Sequence, residues 1–524
     1  MRLFINATVH TMTPASPTAD CVLVGDDGRI AFVGARDDAN VPAGTPTVDL
    51  GGATLLPGFN DAHIHIWKLG LLLTRQVDVR RAKPEAMPAL VGALRDHAVA
   101  QPDGWILGRG YDEAALAESR HPTATDLDAV SADRPLALTR ICGHIMALNS
   151  RALELAGITA ATPDPAGGVI ERDAGGNPTG VLKESAMALV NRVIPAVTDD
   201  DMRAAILATG RHQLTLGITS ATDPLVTPDH LRAYRALDAD GALVNRVNTL
   251  AVRRLDGGTE TLPLPEKHVS DRLRVDSVKF FADGGLSGAT AALAVNYKLT
   301  GDNGVLRYET DDMLALMREA HVAGYRIGTH AIGDRALDQV LGCYEALHAE
   351  HPSDIRHRVE HLGLPSAEHL ARAKAIDAIA VPQTVFLPAL GRNFRRYLPD
   401  DYLPRTYPVR AMMDAGLTVA LSSDAPVVPD DNPLLGAWAA VTRADHAGDP
   451  IAPEQAITVA EALHAYTVGG AVASGDADNR GQLAPGMWAD MVALDADPLA
   501  VPVDALLDIG VQRTILGGEV VYEA

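Results

Sequence analysis

The stretch Asp61-Ala62-His63-Ile64-His65 directly follows an apolar run, Thr54 to Pro57, and the tripeptide Gly58-Phe59-Asn60. Along an extended strand the side chains at i and i+2 point the same way, so both imidazoles can reach one cation while the strand stays packed in a core. Most His-x-His pairs bind no metal, so this pair needs company. Four later segments supply it: Val278-Lys279-Phe280-Phe281, Gly328-Thr329-His330, Val359-Glu360-His361 and Leu421-Ser422-Ser423-Asp424. Each follows a short β-branched or apolar run and leads into Gly, Pro or polar residues. In a (β/α)8 barrel every strand ends at the same face, so residues at strand ends converge although they are far apart in the chain. That face would collect, in order, two His, a Lys, two more His and an Asp.

With this ligand order the chain resembles the amidohydrolase superfamily, and within it the branch of YtcJ-like proteins and N-substituted formamide deformylases. The motifs that carry the resemblance span nearly the whole chain. They are Pro57-Gly58-Phe59-Asn60-Asp61-Ala62-His63-Ile64-His65, Gly143-His144 with Asn149, Val278 to Ala282 with Asp283-Gly284-Gly285, Thr329-His330-Ala331-Ile332-Gly333-Asp334, Arg358-Val359-Glu360-His361 and Ser422-Ser423-Asp424-Ala425-Pro426. The resemblance implies that His63 and His65 bind the more buried metal, that His330 and His361 hold a second, and that Asp424 ligates or handles protons at the attacking water. Divalent zinc, one or two ions per chain, is expected, although imidazole and carboxylate also accept manganese, iron or cobalt.

Lys279 needs its own argument, because an ammonium is repelled by two cations and has no lone pair to give. Carboxylated by CO2 it becomes an anionic carbamate with two oxygens, able to bridge metals about 3.5–4 Å apart. One strand-helix unit with a loop fits between Lys279 and His330. An ordinary salt-bridged Lys279, or a bridge from Lys183 or Glu184, are the alternatives.

Around this set the reading is thinner. His144 ends an apolar run, Pro135 to Leu138 followed by Thr139 to Gly143, and either donates to a substrate carbonyl or its oxyanion or bonds a backbone group. Asp283, beside two glycines, is a candidate for contact with substrate, and Trp67, Tyr111 and Phe281 either line an apolar pocket or belong to the core. Glu360 points away from the site if its strand is regular, and is expected to be structural. His97, His212, His230, His268, His348, His351, His357 and His369 lie in polar or helical stretches and are expected at the surface.

Composition bounds the rest. The chain has 524 residues and a formal charge of −22; no basic patch of any length appears, which disfavours nucleic acid and anionic membrane surfaces as partners. No apolar run approaches the roughly 18 residues of a membrane helix, and the start lacks a signal-peptide pattern, so a cytoplasmic protein is expected. Cys21, Cys142 and Cys343 are too few and scattered for a disulfide framework and are expected as reduced, buried thiols.

Short strand-like pieces at both ends, residues 1–57 and 476–524, are expected to pair into a small β-sandwich, as in amidohydrolases. Between them residues 58–475 alternate strand-like and helical pieces as a parallel barrel requires, with an insertion over the barrel mouth at about residues 78–196. Asp311 to Ala323 predicts an amphipathic helix stopped by Gly324, Thr458-x-x-Glu461 predicts a capping box, and Gly517-Gly518 predicts a hairpin turn.

The expected activity is metal-dependent hydrolysis of a carbon-nitrogen bond in a small-molecule linear amide, N-acyl or N-formyl. Metal-activated hydroxide would attack, with Asp424 as general acid and base. Cyclic amides, esters or other reactions of the same site are alternatives, because such a site activates water without choosing the group presented to it. A non-catalytic scaffold of the same fold has no physical need for converging imidazoles. The resemblance suggests a homodimer.

Overall fold

A computed structural model describes residues 1–82, 84–141, 143–255 and 258–524. The chain divides into two compact units, one of Met1–Ile66 with Thr209–Ala524, the other Trp67–Ala208.

The first unit is built on a parallel sheet whose eight main strands follow one another in chain order: β1 (Phe59–Asp61), β2 (Ile218–Val226), β3 (Arg246–Val252), β4 (Leu273–Phe281), β5 (Arg326–Ala331), β6 (Arg358–His361), β7 (Ile379–Val381) and β8 (Thr418–Val419). Every residue of β3, β6 and β7 is buried, as expected of parallel strands covered on both faces. The sheet curls until its ends meet: the Ala62 amide donates to Leu421 O (3.4 Å), and just beyond the strands Asp424 N donates to His63 O (2.7 Å) and His65 N to Ala425 O (2.9 Å).

Helices intervene where the sequence alternates. Thr310–Val322 buries Met313, Met317 and Ala320 and is followed by Gly324 at φ 75. Helix Val459–His464 opens on the reciprocal Thr458–Glu461 capping box and continues through a π turn, Ala465–Gly469, into Gly470–Ser474.

The two chain ends meet in one eight-stranded sheet of the same unit. Met491–Leu494 pairs antiparallel with the end of Thr47–Pro57, Met491 opposite Pro57. The last hairpin, Val511–Leu516 with Glu519–Glu523, turns at Gly517 and Gly518, whose φ of 59 and 79 are what a two-residue hairpin loop demands. Phe4, Val22, Leu55, Leu483, Met491 and Ile515 share its core.

The second unit, Trp67–Ala208, carries its own six-stranded sheet, ordered 168–172, 178–184, 145–148, 136–140, 106–111, 76–78. Val79, Leu90, Leu94, Ile106 and Leu136 pack in one cluster there and Leu148, Ile170 and Leu182 in another. This unit is wider at both ends than the insertion read from sequence.

Cys21 and Cys343 are buried free thiols; Cys142 lies outside the described residues. Among the described residues no helix is long and apolar enough to cross a membrane.

Candidate metal centre

At the C-terminal ends of the parallel strands, ligand atoms of His63, His361 and Asp424 lie within 4.8 Å of one another, and all three residues are buried. Asp424 Oδ1 is 3.4 Å from His63 Nε2 and 3.0 Å from His65 Nε2. The His361 ring lies between those of His63 and His330, with centroids at 4.9 and 4.4 Å. Burial, then the neighbouring imidazoles of His330 and His63, hold His361 well below the usual histidine range, so its ring is a neutral donor. Burial alone would raise the Asp424 carboxyl, but His63 and His65 outweigh it and hold Asp424 well below the usual carboxylate range. Imidazoles around a carboxylate are the donor chemistry a zinc-class cation takes.

Three of the rings, those of His63, His361 and His330, are each aimed by a partner on one nitrogen. His63 Nδ1 lies 2.6 Å from Glu360 Oε2, and Glu360 is itself held by Arg358, whose Nε and Nη2 donate at 2.7 and 2.9 Å. His361 Nδ1 lies 2.6 Å from Gln383 Oε1, and Gln383 Nε2 donates to Val381 O and Ser422 Oγ. His330 Nε2 faces Gly284 O at 3.1 Å and Asp283 Oδ1 at 3.4 Å. Such outer partners fix tautomer and orientation in metal sites.

Glu360 corrects the expectation drawn from strand parity. His361 leaves β6 with φ 74 and Leu362 with φ 44, so the chain turns at His361 and both neighbours serve the site. Room for Glu360 comes from Gly328 on β5, where an added Cβ would lie 2.6 Å from Glu360 Oε1. Burial would raise the Glu360 carboxyl, but the Arg358 guanidinium and His63 pull it well below its ordinary value. The readable signal was Arg358-x-Glu360: two charges on one face of a buried strand must pair.

Asp61 pins the two metal-site loops together. It accepts from Ser423 N (3.1 Å), Ser423 Oγ (2.6 Å) and His63 N (3.2 Å), while burial pushes it up to about 7. Asp283 is buried and accepts from three backbone amides, Ala292 (2.9 Å), Ile332 (3.1 Å) and Gly333 (2.8 Å), so its oxygens organise loops beneath His330.

A cavity of about 190 Å³ opens on this set, lined also by Lys279, Phe281 and His330. Lys279 is buried, with Nζ 4.9 Å from the Phe281 ring centroid. Trp67, Tyr111 and His144 belong to the other unit. Lys68 lies over the Trp67 ring, Tyr111 is in that unit's core with its hydroxyl 3.2 Å from His121 Nδ1, and the exposed His144 pairs with Glu184 at 3.1 Å. Lys183, the rival for Lys279, pairs with Glu171 there at 3.0 Å.

Two histidines expected at the surface are buried instead. His369 closes a capping box with Ser366 and meets Asp338 at 3.0 Å. His357 packs under β5, where its Nδ1 accepts from Ile327 N.

The family model described as the amidohydrolase family matches residues 46–522. The chain belongs to that family. This amidohydrolase is 31% identical to an N-substituted formamide deformylase of Arthrobacter pascens, over 99% of this chain and 98% of the relative. It is 30% identical to the YtcJ protein of Bacillus subtilis (strain 168), over 98% of each. The crystal structure of an uncharacterized metal-dependent hydrolase from Pyrococcus horikoshii OT3 superposes with a TM-score of 0.78 at 27% identity, covering 96% of this chain and 99% of that one. Family membership and donor set together make this amidohydrolase a metal-dependent hydrolase.

Proposed function

We propose that the chain hydrolyses small linear amides, N-formyl or N-acyl, with an apolar substituent on the amine. The observation that carries this reading is the cavity: about 190 Å³, lined by the donor set and by Phe281, Leu286, Phe386, Leu390 and Val427. Ligand pockets commonly run to about 300–1,000 Å³, so this one suits a short acyl group and a compact apolar amine. The likeness to a protein named N-substituted formamide deformylase supports the same class.

His63, His65, His330, His361 and Asp424 would hold one or two zinc-class ions, bridged by Lys279 as its carbamate at the end of β4 of a (β/α)8 barrel. A bound divalent cation supplies Lewis acidity, polarising the carbonyl and lowering the pKa of water. Asp424 takes a proton from the attacking water and returns it to the leaving amine nitrogen, so one residue serves both half-reactions. Glu360 and Gln383 keep the His63 and His361 rings aimed, and the apolar walls exclude bulk water from the scissile bond.

The test is a screen of zinc- or manganese-loaded protein against N-formyl, N-acetyl and longer N-acyl amines, cyclic ureides and phosphoesters. Small linear amides with apolar amines are expected to turn over fastest, read as released amine. A cyclic ureide or phosphoester turned over about a hundredfold faster than every linear amide refutes the substrate class. For the bridge, Lys279→Ala is expected to lose metal and activity and to regain part of both in acetate. Full metal retention in that variant rejects the carbamate.

A further inference from the structure

Tyr407 lines the cavity on a loop that contributes nothing to the donor set. The residue is buried, its ring edge-on to Phe386 with centroids 5.7 Å apart and tilted against Phe394 at 5.9 Å. Its backbone lies in the left-handed region, φ 44. Residues other than glycine persist there only where the surroundings over-determine them, and they cluster at functional sites.

The surroundings of Tyr407 do over-determine it. Its amide donates to Gly363 O at 2.8 Å. The fully buried guanidinium of Arg443 donates to Tyr407 O (2.8 Å), Thr406 O (2.6 Å) and Ile451 O (3.1 Å). Burying a cation against neutral carbonyls is unfavourable in itself, and here the arrangement fixes one short segment.

The phenol is the part of Tyr407 that this scaffold leaves alone. Other buried tyrosines nearby are engaged: Tyr297 donates to Ala291 O (2.8 Å), Tyr344 to Arg358 O (2.9 Å) and Tyr402 to Asp334 Oδ2 (2.6 Å). Among the described residues none hydrogen-bonds the Tyr407 hydroxyl. A hydroxyl on a residue that lines the cavity can be completed by a ligand bound there. Burial, then the nearby Asp424 and Asp283 carboxylates, hold this phenol well above the usual tyrosine range, so it stays a neutral donor.

We propose that the Tyr407 phenol is a further catalytic residue, donating a hydrogen bond to the substrate carbonyl oxygen as it becomes an oxyanion. The inference rests on the amide-hydrolysis reading above. As the bond from water oxygen to carbonyl carbon forms, the carbonyl π pair moves onto oxygen and the phenol bond to it strengthens. As the C–N bond breaks, that pair returns to the carbonyl, the amine leaves with the proton delivered by Asp424, and Tyr407 keeps its own proton throughout. The sequence had offered this role to His144.

Tyr407→Phe keeps the ring and its packing, and its melting temperature and metal content are expected to match wild type. Its kcat on the best amide is expected to fall about a hundredfold to a thousandfold, with KM within about threefold, as when one oxyanion donor is removed. The second arm is calorimetric binding of N-butyl methylphosphonamidate, a tetrahedral oxyanion mimic, to the metal-loaded proteins, expected to be at least about tenfold weaker in the variant. If wild type cleaves no amide but binds the mimic through the phenol, the substrate reading falls and the Tyr407 role stands. If amides are cleaved and the variant keeps kcat and mimic affinity within about twofold, the Tyr407 role falls alone. A wild type that neither cleaves an amide nor binds the mimic removes both.

Discussion

Strands β5 and β6 are flanked by histidines at both ends, and the two groups do opposite things. At the C-terminal ends His361 engages one ring nitrogen with Gln383 and offers a ligand atom to the donor set, and His330 packs its ring against that of His361. At the N-terminal ends His357, just before β6, and His321, at the end of the helix before β5, engage both nitrogens. Ile327 N donates to His357 Nδ1 (3.2 Å), so His357 Nε2 carries the proton and donates to His321 Nδ1 (2.9 Å). His321 Nε2 in turn donates to His351 O (2.7 Å). Burial does not separate the groups, since His65 and His321 are each 6% exposed. What separates them is whether a nitrogen remains for a cation, and that is read from hydrogen bonds.

The comparison breaks if the upper group is not a metal-dependent machine. Chelation should silence turnover and added zinc or manganese should restore it, with elemental analysis following the ion. Asp424→Asn should then lose about a hundredfold to ten-thousandfold in turnover, the contribution of a positioned acid-base group, while keeping most of its metal. Asparagine can still offer an oxygen, but it cannot take the proton from water. Turnover within a few fold of wild type at full metal content removes the acid-base role from Asp424.

A second outcome sharpens the rule that a ligand histidine is defined by the partner on its other nitrogen. Glu360→Gln keeps the shape but removes the charge that meets His63 Nδ1 and Arg358. Metal affinity, measured by competition with a chelator, is expected to fall about tenfold to a hundredfold. Affinity and turnover both unchanged would mean that Arg358–Glu360 is purely a strand-pairing device.

These residues also mark where the sequence is legible. His63 and His65 can be read because strand alternation needs only local geometry, and Thr458–Glu461 because a capping box is local too. Glu360 defeats the same alternation, since the turn at His361 is imposed by the loop that follows and not by the residue type. His357 sits in Ile355-Arg356-His357-Arg358, which looks exposed until β5 and the helix before it cover it. Tyr407 depends on Arg443, thirty-six residues on, a contact that no periodicity reveals. The sheet of Trp67–Ala208 is built from short strands whose partners are set by tertiary packing, so its pairing order cannot be derived from alternation.

The smallest effect on activity is expected at the lower group, and there the readout is stability against pH. Burial, then His321, lowers His357 to about 3 from an ordinary histidine value of 6.5. The unfolded chain therefore takes up a proton at this position as pH falls through about 6.5, while the folded chain refuses it until about 3. Stability contributed by neutral His357 is complete above about 6.5 and is lost progressively as pH drops towards 3, by about 5 kcal/mol at most. His357→Gln has no proton to gain. It should be less stable at pH 7 by about 1–3 kcal/mol, for the bonds it breaks with Ile327 and His321, yet show a shallower decline in denaturant melts between pH 7 and pH 4. Its turnover per metal-loaded molecule at pH 7.5 should stay within about twofold of wild type, because none of its partners reaches the donor set. Parallel stability curves for the two proteins would show that acid acts elsewhere, and a large loss of turnover would show that the two ends of β5 and β6 are coupled.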